Sequence, residues 1–310
     1  MKKKDLLSVT DLSGAAIRGL ISTAIRMKKD TARGKGGRPL RGKVLGLLFS
    51  KPSTRTRVSF QVGMAQLGGT TIVLPPAETQ LGRGESLEDT ASVLSRYLDG
   101  IVIRTFEQKE LEAWAGHAAI PVVNGLSDYC HPCQILSDLM TIKEKFGRLK
   151  GVRIAYVGDG NNVAHSWILA AGVLGLDLTL AVPKGYEPLQ SVMDEGRSRF
   201  RGSGEPPRLC HDPKEAARGA DVLYTDVWTS MGQEKERARR LRAFRTFQIN
   251  SKLLSLADPG AVVMHCLPAH RGEEITSDVL DSPASVVLDE AENRLHLQKA
   301  LLVKYLGRRK

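Results

Sequence analysis

Short apolar runs recur along the chain, and between most of them lie amphipathic stretches with helical spacing. KVLGLLF (43–49) is almost continuously apolar, as expected of a strand buried on both faces. Beyond it Val58, Val62 and Ala65, with the neighbouring Phe60, Met64 and Leu67, form a helical stripe that Gly68 and Gly69 stop. TTIVLP predicts the next strand. ESLEDTASVLSRYLDG predicts a helix: Ser86 followed three positions on by Asp89 resembles a capping box, and Leu87, Ala91, Leu94 and Leu98 share a face. GIVIR predicts a strand, residues 107–118 a helix, IPVVNG a strand, and QILSDLMTIKEKFG a longer helix ending at Gly147.

A second cycle opens with GVRIAYVGD, followed by a helix from about Val163 to Leu174 and the strand DLTLAVP. Further strands are expected at DVLYTDVW, AVVMHCLP and SVVLDE, and ENRLHLQKALLVKYLG closes the chain as a helix. Apolar strands alternating with helices predict an α/β fold with parallel sheets covered by helices on both faces. At 310 residues the chain exceeds the size at which one core keeps growing, so two domains of similar size are expected. The boundary is placed at KFGRLKG, giving domains 1–147 and 148–290, with a terminal helix at about 291–310 packing back on the first.

The formal net charge of +11 raises the possibility of a nucleic-acid partner. The basic residues are spread, however, with clusters at Lys2 to Lys4, EKERARRLRAFR and GRRK, and the middle cluster is expected to be a solvated helical face. Aromatics at 5% leave little for base stacking. A small anionic substrate accounts for the charge without nucleic acid. No stretch approaches the roughly 18 apolar residues of a membrane span. MKKKDLLSVTDL lacks the apolar core of a signal peptide and the Arg- and Ser-rich character of a transit peptide, so a cytoplasmic location is expected. Four cysteines make no disulfide framework, and the C-x-x-C of Cys130 and Cys133 has no second ligand pair, so no metal is expected. VGDGNN lacks the third glycine of a dinucleotide fingerprint, since Val163 follows Asn162.

In open parallel sheets ligands sit beyond the carboxyl ends of the strands. The polar residues there are Ser53, Thr54, Arg55, Thr56 and Arg57, then Arg104, then His131 and Gln134. In the second half they are Asn161, Asn162, Asp226, His265 and Cys266. The first half supplies cations and hydroxyls; the second supplies carboxylate, amide and thiol. A phosphate-like ligand in one domain and an amino-acid-like ligand in the other would fit. A helix starting near Ser53 offers unpaired N–H groups and a partial positive charge, and arginines add forked hydrogen bonds to phosphate. For Trp167, Trp228, His165 and His296 structural roles are expected.

FSKPSTRTR (49–57) resembles the signature F-x-[EK]-x-S-T-R-T-R of the aspartate and ornithine carbamoyltransferases. HPCQ (131–134), DVWTSMGQE (226–234) and HCLP (265–268) follow in the family's order, so the resemblance spans essentially the whole chain. Lys51 in place of Glu, the SMG at 230–232 and Cys266 in place of Pro resemble the ornithine-using members. The resemblance implies transfer of the carbamoyl group from carbamoyl phosphate to L-ornithine in an interdomain cleft, as in arginine biosynthesis. A sister enzyme using aspartate, putrescine or an N-acylornithine is the alternative. It implies carbamoyl-phosphate binding by Ser53, Thr54, Arg55, Thr56, Arg104, His131, Gln134 and Arg294, with Gln80 reaching a neighbouring subunit's site in a homotrimer. Asn162, Asp226, Ser230, Met231, Cys266 and Leu267 would hold ornithine, and Arg104, His131, Asp226 and Cys266 would carry the catalytic roles. The resemblance implies no metal, organic cofactor, nucleic acid or membrane partner.

Overall fold

The computed structural model describes residues 5–75, 78–80, 84–202 and 204–307. The chain divides into two compact units, Met1–Met140 with Glu292–Lys310, and Thr141–Ala291. In the first unit, β1 (Val44–Phe49), β2 (Thr70–Leu74), β3 (Gly100–Arg104) and β4 (Val122–Leu126) form a sheet in the order β2-β1-β3-β4. Helices α1 (Gly14–Ala32), α2 (Thr54–Gln66), α3 (Leu87–Tyr97) and α4 (Gln108–His117) alternate with these strands. α5 (Pro132–Phe146) follows β4, and the division between units falls inside it, a little before the boundary expected at 147–148.

The second unit holds β5 (Arg153–Val157), β6 (Asp177–Ala181), β7 (Arg208–Cys210), β8 (Val222–Thr225) and β9 (Val262–His265), in the order β7-β6-β5-β8-β9. Its helices are α6 (Asn162–Leu174), α7 (Gln190–Arg199), α8 (Pro213–Ala217), α9 (Arg237–Phe244), α10 (Ser251–Leu254) and α11 (Ser277–Leu280). α12 (Val287–Leu306) closes the chain, and its residues from Glu292 onward belong to the first unit. There Arg294 donates to Thr56, the Lys299 ammonium donates to Thr31 at 2.7 Å and Gln66 at 2.8 Å, and the Tyr305 hydroxyl donates to the Asp5 carbonyl at 3.3 Å.

Every pairing between these strands is parallel. Parallel strands are buried on both faces, so they carry apolar runs without alternation, and the middle strands β3 and β8 are buried along their whole length. Trp114 and Leu111 of α4 pack with Leu48, Ile101, Ile103 and Val122 in one layer of the first core. In both sheets the chain reverses its direction of travel: between β1 and β3 in the first, between β5 and β8 in the second. These are topological switch points, where loops diverge and leave room for a ligand beyond the strand ends.

Two expectations fail. SVVLDE is not a strand: Ser285 makes one bridge to Val263, and from Val287 the chain is helical. Its β-branched pair resembles a strand, but Asp289 and Glu290 lie in the first turn of the long α12, where acids suit the helix dipole. The apolar stripe of α2 splits. Phe60, Met64 and Leu67 are buried, whereas Val58, Val62 and Ala65 are exposed. α1, α7 and β7 are elements for which the pattern gave no expectation.

Helices α6 and α7 approach to backbone contact: a Cβ on Gly172 would stand 2.5 Å from the Gly196 carbonyl oxygen. Gly→Ala inside a helix normally stabilises by about 1 kcal/mol. At Gly172 the clash should reverse the sign, with a loss of about 1–3 kcal/mol. Gly19→Ala in the exposed part of α1, where a Cβ meets nothing within 4 Å, should follow the ordinary rule. Denaturation midpoints measure both, and shifts in the same direction would contradict this packing.

Candidate active site

In the first unit the ends of three adjacent strands meet. Phe49 of β1 lies opposite Arg104 of β3, and the Ser50 N–H donates to the Arg104 carbonyl at 2.8 Å. A register shift between Ile103 and Arg104 brings Arg104 opposite Leu126 of β4, whose loop leads to His131. α2 starts here with Ser53 as N-cap, yet the Ser53 side chain makes no capping hydrogen bond. Its hydroxyl is therefore not explained by helix capping. Arg104, His131, Gln134, Thr56 and Arg294 are buried, Ser53 and Arg55 half-buried, and Thr54 exposed. The Gln134 amide donates to Asp138 at 2.8 Å.

Charge converges on His131. Burial holds its imidazole well below the ordinary histidine range, and the guanidinium groups of Arg294, Arg104 and Arg55 push it further down. Three guanidinium groups concentrate positive charge suited to an anion, and the downward shift favours the neutral imidazole, which can still donate a hydrogen bond. Lys51 does not join this group. It is buried, pairs with Asp128 and lies 4.2 Å from the Phe106 ring centroid. It ties the turn after β1 to the loop that presents His131. Gln80 is exposed and stands next to residues 81–83, outside the described residues. Cys130 and Cys133 are buried thiols, each pushed up to about 12 chiefly by burial. Their sulfurs meet the carbonyls of Leu7 at 3.3 Å and Asn124 at 3.4 Å, as core residues would.

In the second unit the ends of β5, β8 and β9 fix one carboxylate. Asp226 Oδ2 accepts from Asn161 Nδ2 at 2.8 Å. Its Oδ1 accepts from the Val227 N–H at 2.8 Å and from the Cys266 thiol at 2.9 Å. Asn161 also caps α6 through Val163 and Ala164, which leaves Asn162 as the first helical residue. Ser230 and the exposed Met231 lie in the loop after β8, where the Ser230 N–H donates to Gln233 Oε1 at 3.2 Å. Leu267 has a positive φ of 55° and is followed by a cis peptide to Pro268. The positive φ costs a leucine about 1–2 kcal/mol, so its surroundings must hold it.

Asp226, His265 and Cys266 place possible ligand atoms within 4.8 Å of one another. The hydrogen bonds argue against a metal there. His265 Nδ1 accepts from the Leu267 N–H at 2.8 Å, and Nε2 faces Glu274 Oε1 at 3.0 Å. Both ring nitrogens are engaged, and the thiol's partner is Asp226.

The sequence pattern assigns Arg240 no role. It lies in the basic cluster expected to be a solvated face, where Arg237, Arg239 and Arg242 are exposed, yet Arg240 is only 6% exposed. Its guanidinium donates to the Trp228 carbonyl at 2.9 Å, pairs with Asp159 at 3.0 Å and lies 5.0 Å from the Tyr186 ring centroid. The available signal was Phe244, four residues on and also buried, which marks an inward face of α9. Arg240 thus ties the start of the loop carrying Ser230 and Met231 to the turn after β5 at Asp159. The Asp159 carboxyl is pushed up to about 6 by burial, against the lowering pull of Arg240, with Asp226 and Glu236 raising it. The ion pair is complete above that pH and is lost as pH falls through it. Asp159→Asn should therefore raise the KM for the second substrate at pH 8. The ratio of variant to parent KM should fall below pH 6, by at most about tenfold per unit. A ratio constant from pH 5 to 8 would contradict a role for the Arg240–Asp159 ion pair in holding this loop.

Residues 4–144 match the carbamoyl-P binding domain of aspartate/ornithine carbamoyltransferase, and residues 150–305 match the Asp/Orn binding domain. A protein from Syntrophus aciditrophicus named ornithine carbamoyltransferase is 55% identical over 97% of this chain and 98% of its own. A relative from Pyrococcus furiosus named anabolic ornithine carbamoyltransferase is 52% identical over 98% of this chain and 96% of its own. The solved ornithine carbamoyltransferase structure from Pyrococcus furiosus superposes with a TM-score of 0.95 at 52% identity, covering 99% of this chain and 98% of that one. The corresponding Thermus thermophilus structure gives 0.88 at 43% identity, covering 99% and 100%. With two strand-end sites of matching chemistry and similarity along its whole length, the chain belongs to the aspartate/ornithine carbamoyltransferase family.

Proposed function

We infer that the protein transfers the carbamoyl group of carbamoyl phosphate to the δ-amine of L-ornithine, giving L-citrulline and phosphate. The observation that carries this reading is the convergence of Arg55, Arg104 and Arg294 on a neutral, buried His131. Ser53, Thr54, Arg55, Thr56 and Arg294 bind the phosphate, and Gln134 accepts from the carbamoyl nitrogen. Thr54, Arg104 and His131 donate to the carbamoyl oxygen.

The amine lone pair attacks the carbonyl carbon and charge develops on that oxygen. The C–O bond to phosphate then breaks, and phosphate leaves with the bonding electrons. Donors aimed at the oxygen lower the barrier because they bind the tetrahedral intermediate better than the ground state. An alkyl amine has a pKa near about 10.4, so most of it is protonated at neutral pH. Cys266, Asp226 and the Leu267 carbonyl provide acceptors around the δ-amine, while the leaving phosphate is a base able to take its proton. Asn162 takes the α-carboxylate; Asp226 and Ser230, with backbone at Met231, take the α-amino group. A carboxylate fixed by three donors favours a charged α-amino group over an acylated one.

A role in arginine biosynthesis is supported by the relative named anabolic, and a cytoplasmic location is proposed with it. Among the described residues no helix is long and apolar enough to cross a membrane. The working assembly is a homotrimer with shared sites. Its support is a set of exposed apolar side chains on the first unit: Val58 and Val62 of α2, Ile72 of the edge strand β2, and Val93 and Tyr97 of α3. Gln80 extends from the same part of the chain toward a neighbour's phosphate.

Purified protein given carbamoyl phosphate with ornithine, aspartate, putrescine or N-acetylornithine should make product from ornithine alone, and sedimentation should give three chains. Product only from another acceptor would overturn the assignments of Asp226, Ser230 and Cys266, and a monomer would remove the shared site.

A further inference from the structure

We propose that His265 is a positioning residue for the ornithine half-site, acting through the backbone of Leu267. The proposal rests on the ornithine assignment above but concerns a residue outside it. Leu267 N–H donates to His265 Nδ1 at 2.8 Å, which makes Nδ1 an acceptor and places the ring proton on Nε2, toward Glu274 Oε1 at 3.0 Å. Glu274 is fully buried and the same oxygen accepts from the His270 N–H at 2.6 Å, so the carboxylate joins the end of β9 to the loop beyond it. The His265 N–H donates to Glu290 Oε2 at 2.9 Å, anchoring the strand end to the start of α12. His265 itself is 1% exposed.

The imidazole is therefore a rigid spacer between a buried carboxylate and one backbone N–H. What it holds is the residue with φ of 55°, next to Cys266, whose thiol meets Asp226. A leucine does not keep that conformation unaided. Fixing its N–H fixes the Cys266–Leu267 peptide plane, and from that plane the φ of 55° leads the chain to the Leu267 carbonyl, the group assigned to the δ-amine. Phenylalanine would fill the same volume but could not accept from Leu267. Both nitrogens are committed, so His265 is neither base nor ligand here.

The test compares His265→Asn with His265→Gln. The Asn oxygen falls near the place of Nδ1 and can accept from Leu267; the Gln amide reaches toward Glu274 and cannot. Misplacement of a reacting group by about 1 Å lowers rates about 100-fold, so kcat should fall by that order in the Gln variant and by less than about tenfold in the Asn variant. The KM for carbamoyl phosphate should stay unchanged in both. Equal losses, or a Gln variant closer to the parent, would overturn the proposal, because simple core filling favours the larger side chain. If neither variant folds, 15N shifts of the imidazole in the unaltered protein decide: an Nε2–H tautomer supports the spacer, and an Nδ1–H tautomer refutes it. Failure of the ornithine assignment would look different, as Cys266→Ala and Asp226→Asn with parental kcat and ornithine KM.

Discussion

Parallel β-strands must be covered on both faces, and that constraint decides where this chain can do chemistry. Helices occupy the faces, and buried runs such as VLGLLF and VLYT leave few polar positions along the strands themselves. Polar side chains collect at the carboxyl ends, and most densely where the strand order reverses. β1 and β3 flank the reversal in one sheet, β5 and β8 in the other. Ser53 to Thr56 and Arg104 stand at the first reversal; Asn161, Asn162 and Asp226 stand at the second. An outer strand completes each set, β4 through His131 and β9 through Cys266.

The two halves then differ by charge rather than by architecture. The first gathers guanidinium groups around a histidine that burial and those groups keep neutral. The second gathers donors around one carboxylate, whose remaining lone pairs suit an ammonium. These two fields suit a dianion in the first half and an amino-acid ammonium in the second. The chain's overall +11 says little about this, since the same excess could coat a surface without forming a site. Position at a strand end, burial and direction turn charge into recognition. Residues such as Lys51 and Arg240 serve the same end indirectly, holding loops through Asp128 and the Trp228 carbonyl.

The strand-end residues were legible in the sequence because apolar strand runs announce their own ends, and the chain direction says which end carries ligands. The family motifs then distributed roles among residues already in place. Other features depend on contacts that no period encodes. Arg240 looked like its exposed neighbours because a charge run does not reveal which member turns inward. Val58 and Val62 had the spacing of a core stripe, and only the fold leaves them uncovered. SVVLDE had strand composition and one strand bridge, but the twenty-residue helix that starts within it determined the local structure. His265 ends β9, but its partner Glu274 sits in an irregular loop where spacing carries no information about pairing.

The most direct test of the division into an anion half and an ammonium half is calorimetric binding of phosphonoacetamide, an unreactive analogue of carbamoyl phosphate. Parent protein, Arg55→Ala and Asp226→Asn would each be titrated. A charge-assisted hydrogen bond contributes about 1.5–3 kcal/mol, so Arg55→Ala should bind roughly 10- to 100-fold more weakly. Asp226→Asn should bind like the parent. Undiminished binding by Arg55→Ala, or an equal loss in both variants, would contradict the separation of the two fields.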